Sequence, residues 1–169
     1  MSFRFSTVVP LGLFLLFNLP PSFAQTTETT ALTSIHTGDT YGLIIKKPKG
    51  FDPTKKYHVV YFTDASLNSG KFILQLDAEQ TKNCVLVGIA HIGSHVLLRQ
   101  RDFIPSDAGG YNDKDFGQAS RFYLFMKNEL MPFVSGKIVI QNSKIFIGHS
   151  FGGLLALYFS LQENKLFDR

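Results

Sequence analysis

The sequence predicts an α/β fold built on a mostly parallel sheet. Residues 57–63 (Tyr-His-Val-Val-Tyr-Phe-Thr), 85–90 (Val-Leu-Val-Gly-Ile-Ala) and 144–147 (Lys-Ile-Phe-Ile) are short, continuous runs rich in β-branched and aromatic residues. Such runs suit strands covered on both faces, as parallel strands are. Segments with helix-spaced apolar residues separate and follow them, and strand–helix alternation is the signature of a layered α/β sheet. The third run leads directly into Gly148-His149-Ser150-Phe151-Gly152 and then the apolar stretch 154–159. A Gly-x-Ser-x-Gly turn between a strand and a helix is the nucleophile-elbow pattern.

The first 24 residues predict a cleaved export signal, which would place the mature protein in the periplasm or outside the cell. Arg4 gives a weakly positive start, Val8 to Leu19 is mostly apolar, and Ser22-Phe23-Ala24 offers small residues before a cut. The stretch is too short for a comfortable bilayer span, so no stable membrane anchor is expected. Residues 25–33 are Thr-rich and polar and read as a flexible lead-in. One domain is expected over 34–169.

Within that domain, Ser34 to Thr37 reads as a short strand, Gly38-Asp39 as a turn, and Tyr41 to Lys47 as the returning strand. Gly50, Pro48 and Pro53 mark a loop before the 57–63 strand. Ser69 to Lys82 carries Phe72, Ile73, Leu76 and Ala78 at roughly helical spacing. His91 to Tyr111, with Gly93, Pro105, Gly109 and Gly110, reads as a long irregular connection, and connections of that length are often functional. Residues 116–134 predict a helix with an apolar stripe of Ala119, Phe122, Tyr123, Met126, Leu130 and Phe133.

Composition narrows the function classes. The chain has 17 Lys and Arg against 13 Asp and Glu, a net charge of +4. The basic residues are scattered and do not form an aromatic-interleaved stripe, so nucleic acid is not an expected partner. The lone Cys84 cannot form an internal disulfide and opens an apolar run, where it reads as a small core residue. His91 and His95 are four residues apart, but Gly93 and the loop setting argue against a metal site. No metal and no other cofactor is expected. Arg99, Arg101 and Asp102 read chiefly as an ionic brace for the loop.

The elbow supplies the candidate chemistry. Ser150 sits at its apex with the hydroxyl exposed, while Gly148 and Gly152 keep strand and helix from colliding. Unpaired amides at the helix start suit a developing oxyanion. A serine hydroxyl is nonetheless a weak nucleophile and needs a histidine base with an orienting carboxylate. Beyond Ser150 there are Glu163 and Asp168, which read as surface charges, and no histidine. Of the upstream histidines, His149 points away from the site, His58 reads as a packed or edge strand residue, and His91 and His95 stand at the strand edge where open α/β sheets form sites, with a catalytic role for either the lesser reading.

Several segments together resemble one family. They are 57–65, Val87-Gly-Ile-Ala, Arg99-x-Arg101-Asp102-Phe103-x-Pro105, Asn128-Glu-Leu-Met-Pro132 and Ile147-Gly-His-Ser-Phe-Gly-Gly-Leu154. In order and spacing the chain resembles the esterase D-like branch of the α/β-hydrolases over residues 34–169. The resemblance implies the N-terminal part of an α/β-hydrolase fold, with the later strands absent and the chain truncated at its C-terminal side. It implies carboxylic-ester hydrolysis through an acyl-enzyme on Ser150, acting on a small-molecule ester such as a siderophore lactone or a carbohydrate ester. The backbone N–H of Phe151 matches one oxyanion donor and that of Ala65 the other. The acid and histidine of the triad are implied to follow Ser150, so this chain alone is expected to be nearly inactive. The alternative is a ligand-binding remnant of an esterase that does no chemistry.

Overall fold

The structure is a computed structural model that describes residues 24–105 and 116–169. Five strands form one sheet: β1 (Thr26–Thr33), β2 (Thr40–Lys47), β3 (Tyr57–Phe62), β4 (Cys84–His91) and β5 (Ile140–Ile147), in the order β1-β2-β4-β3-β5. The pairs β1/β2 and β2/β4 are antiparallel, whereas β3 is parallel to both β4 and β5. The sheet is therefore mixed, with the parallel strands at the side that carries the elbow.

Period-two alternation sends side chains to two cores. Tyr41, Leu43, Ile45, Val59, Tyr61, Val87, Ile89 and Phe146 enter the larger one. Val60, Phe62, Leu86 and Ala90 enter a smaller one on the opposite face. The larger core is closed by α3 (Ala119–Phe125), a π-helical turn (Met126–Leu130), α4 (Met131–Ser135) and α5 (Phe151–Ser160). The smaller is covered by the short helix α1 (Asn68–Leu74), through Ile73 and Leu74.

Residues 26–33, expected as a flexible lead-in, are instead the edge strand β1, paired along its whole length with β2 from Thr26↔Lys47 to Thr33↔Thr40. Threonine is β-branched and fits a pleated, half-exposed surface, so a polar run can pair without apolar alternation. The hairpin turn falls at 34–39, where a strand was expected. Ser34 Oγ accepts from the N–H groups of His36 and Thr37, and Gly38 takes φ +79°. The helix expected over 69–82 stops at Leu74. Residues 77–81 form their own turn, in which the Asp77 carboxylate accepts from the Gln80 N–H and the Gln80 side-chain carbonyl accepts from the Asp77 N–H. Phe72, expected on the buried stripe, is 69% exposed.

The connection after β4 is not wholly irregular, since His95–Phe103 forms helix α2. The sequence hides it because its burial is inverted. Val96 and Leu97 are exposed, while Asp102 is completely buried. The part of that connection from 106 to 111 lies outside the described residues, as do residues 1–23 of the expected export signal. In the 116–134 segment the π-turn adds a residue to one turn and shifts the buried stripe. Phe125 and Val134 are fully buried as a result, and Phe133 lies at the margin of the core.

The last residues follow the outer edge of β5. The Asp168 N–H donates to the Lys144 carbonyl and the Phe146 N–H to the Arg169 carbonyl. Asp168, expected as a free surface charge, also accepts the Lys144 N–H at 2.7 Å through its carboxylate. Phe167 packs against Tyr61, Phe146 and Phe159.

Phe122 joins α3 to the sheet. It is fully buried and meets Tyr41, Phe103 and Phe125 at ring separations near 5.5 Å. Phe122→Ala should lower unfolding stability by about 3–5 kcal/mol in urea denaturation, whereas Phe72→Ala should change it little.

Candidate active site

The elbow stands at the carboxyl end of β5, where open α/β sheets place their sites. Ser150 has φ +56° and ψ −119° and is exposed. A left-handed φ is costly for a residue with a side chain, and here the surroundings enforce it. A Cβ built on Gly148 would lie 2.0 Å from the Gly152 carbonyl oxygen, and one on Gly152 would lie 2.6 Å from Thr63 Oγ1. The backbone contact allows only glycine at 148, and a side chain at 152 would have to displace Thr63. The Gly152 and Gly153 N–H groups close the turn on the carbonyls of His149 and Ser150. The Phe151 N–H has no acceptor among the described residues.

The second expected donor is placed differently. The Ala65 N–H donates to the Ile89 carbonyl at 3.1 Å, and Ala65 is 1% exposed. It continues the β3–β4 ladder for a step beyond Phe62↔Gly88, so its amide faces β4 instead of the elbow. The chain turns only after it. The next amide, that of Ser66, has no acceptor among the described residues. The turn itself is strained, because Asp64 is a second non-glycine residue at positive φ (+61°).

Asp64 is nearly fully buried and is held in a fork by Arg99, with Nε–Oδ1 at 2.8 Å and the second contact, to Oδ2, at 3.0 Å. The same guanidinium lies 3.5 Å from the His149 carbonyl oxygen and 5.5 Å from the Phe151 ring. The sequence predicts an Arg–Asp brace among Arg99, Arg101 and Asp102 without choosing the arginine. The partner of Asp102 is Arg101, and that pair belongs to a buried network. The Asp102 carboxylate accepts from Tyr41 Oη at 2.7 Å and Arg101 Nε at 2.7 Å, and pairs with His91 Nε2 at 2.9 Å. Arg101 also pairs with Asp39. Burial pushes the Asp102 carboxyl up, but the hydrogen bonds from His91, Arg101 and Tyr41 outweigh it and hold its pKa below the ordinary value. Burial raises the Tyr41 hydroxyl, and the negative charge of Asp102 adds to the rise.

The remaining candidates fall outside the elbow. His91 is committed to Asp102, and His36 lies beside Asn128 and Glu129 near the hairpin turn. Among the described residues no side chain hydrogen-bonds Ser150 Oγ, and no group of three or more His, Cys, Asp or Glu could hold a metal. Cys84 packs on the smaller core, where burial pushes its thiol up. No described helix is long and apolar enough to cross a membrane. An apolar groove of about 670 Å³ borders the elbow, with Thr63, Phe72, Ile73, Leu76, Ile147 and His149 among its lining.

Residues 34–169 match the family model described as Putative esterase. The chain is 26% identical over 160 residues to the ferri-bacillibactin esterase BesA of Bacillus subtilis, covering 84% of this chain and 55% of that protein. An IroE-like serine hydrolase from Shewanella oneidensis matches with a TM-score of 0.66 at 25% identity, over 84% of this chain and 48% of that one. The BES protein from Bacillus cereus matches with a TM-score of 0.68 at 26% identity, over 83% and 60%. The chain thus spans roughly half the length of these relatives.

The Asp102 network should be visible in acid. Because its pKa is lowered on folding, its stabilisation is complete above the ordinary carboxyl range, about pH 4, and is lost as pH falls through the lower folded-state value. Asp102→Ala should cost about 3–5 kcal/mol at pH 7, because it removes the buried carboxylate that Tyr41, His91 and Arg101 share. Urea melts at pH 7 and pH 3 should show the gap to wild type narrowing at the lower pH.

Proposed function

The chain belongs to the Putative esterase family, and from that premise we propose that the protein hydrolyses carboxylic esters with Ser150 as nucleophile. The observation that carries this reading is the elbow itself: an exposed serine at φ +56°, followed by an uncommitted Phe151 N–H at the start of α5. Ser150 Oγ attacks the ester carbonyl while a base removes its proton. The carbonyl oxygen becomes an oxyanion that the Phe151 N–H stabilises. The intermediate then collapses, the alcohol leaves with a proton, and water hydrolyses the acyl-serine by the same route. Ser66, whose amide is free where that of Ala65 is not, is the better second donor in the Asp64 turn.

The base is a histidine that the described residues do not bring to Ser150. We place it, and the acid that orients it, in the length by which the relatives exceed this chain. The described residues of this chain then bring a nucleophile and oxyanion donors together with no proton acceptor. The substrate class favoured is a siderophore lactone, supported by the similarity to a ferri-bacillibactin esterase. Export through residues 1–24 would put the enzyme where such ligands are met.

Hydrolysis of p-nitrophenyl acetate tests this. The 169-residue chain should stay within a few-fold of the buffer rate. The intact gene product should turn over, and Ser150→Ala should remove at least about 10³-fold of its kcat. Turnover that survives Ser150→Ala would overturn the nucleophile. Rapid, Ser150-dependent turnover by the short chain would overturn its dependence on outside residues.

A further inference from the structure

The Arg99 guanidinium touches both walls of the proposed oxyanion site. On one side its fork takes both carboxylate oxygens of Asp64, the positive-φ residue that sets the course of the turn before Ser66. On the other it lies 3.5 Å from the His149 carbonyl, which also accepts the Gly152 N–H that closes the elbow. The guanidinium stands 5.5 Å from the ring of Phe151 and 5.8 Å from that of Phe103, within cation–π range of both. The contact is nearly dry, since the Arg99 side chain is 16% exposed and that of Asp64 2%.

The helix that carries Arg99 is itself fixed. Asp102, three residues on in α2, is completely buried in bonds to Tyr41 of β2 and His91 of β4. Phe103 is buried next to it, with its ring 5.5 Å from that of Phe122. A side chain one turn away on a helix so anchored has a defined origin. A planar fork can then set two backbone segments at a fixed separation, which an ammonium, as a point charge, cannot do.

We propose that Arg99 is a positioning residue: it clamps the Asp64–Ser66 turn to the elbow and so sets the distance between the Ser66 and Phe151 amides. The proposal rests on the esterase reading above for its catalytic consequence, but not for its structural one. Oxyanion donors act only when they sit where charge develops, so a displaced donor lowers the rate of the chemical step more than substrate binding.

The test uses the intact gene product with p-nitrophenyl acetate as probe. Arg99→Ala should lower kcat about 10- to 100-fold with KM within about twofold of wild type. Arg99→Lys, which keeps a charge for Asp64 but not the fork, should recover only part of the loss. If both variants keep kcat within twofold of wild type, or if KM alone rises, the clamp is wrong. Hydrogen exchange on the same proteins gives an independent answer. The Leu67 and Gly152 amides, bonded to the Asp64 and His149 carbonyls, should exchange faster in Arg99→Ala while the β2–β4 ladder keeps its wild-type protection. Uniform acceleration, or none, overturns the proposal. If turnover survives Ser150→Ala, the esterase reading fails, and the exchange measurement still decides the clamp.

Discussion

The carboxyl edge of the sheet depends on one steric constraint: how closely the start of α5 returns over the end of β5. The Gly152 carbonyl lies where any side chain on Gly148 would have to be, and Thr63 closes Gly152 from the β3 side. A path this tight leaves the residue at its apex a left-handed φ and an outward side chain, whatever that residue is. Strain of this kind persists only when both flanks are over-determined. Here the rings of Phe146 in β5 and Phe159 in α5 meet edge to face at 5.0 Å, and Leu155 of α5 is fully buried. The exposed serine is thus held by the apolar core beneath it, and among the described residues no side chain bonds its hydroxyl.

The parts legible in the sequence were those in which this logic is local. β3, β4 and the elbow announce themselves because a strand covered on both faces must be apolar throughout and a tight turn must be bare. β1 was not legible. Its threonines satisfy their backbone by pairing with β2, at a distance in sequence that no local pattern reports. α2 was missed for a sharper reason. Its apolar residues Val96 and Leu97 face outward while its charged Asp102 is buried, so periodicity points to the wrong face. The Ala65 amide, expected as an oxyanion donor, is bonded to the Ile89 carbonyl. Sequence shows that β3 ends near Asp64, but not that its ladder to β4 persists until the Ala65 amide has been used.

The burial inversion in α2 has a consequence for specificity. A helix docked by apolar contact can slide and repack at modest cost. One docked through a carboxylate that meets a tyrosine, a histidine and an arginine is confined by the directions of those bonds. Such a network need add little net stability, because desolvation consumes much of the Coulombic gain. What it adds is a fixed place. The same helix then projects Arg99 toward Asp64 and His149 from an origin that thermal motion of the helix cannot readily shift.

Three kinds of force therefore hold three parts of one site. Backbone sterics over a packed aromatic core fix Ser150. The β3–β4 ladder fixes the Asp64 turn up to Ala65 and releases the chain there, leaving the Ser66 amide uncommitted. The β3–β5 ladder, which runs to Phe62↔Ile147, and the close approach of Thr63 to Gly152 join the two parts from beneath. Above that ladder the Arg99 fork on Asp64 also reaches the His149 carbonyl, so the connection between β4 and α3, the stretch least regular in sequence, carries a charge that spans both parts.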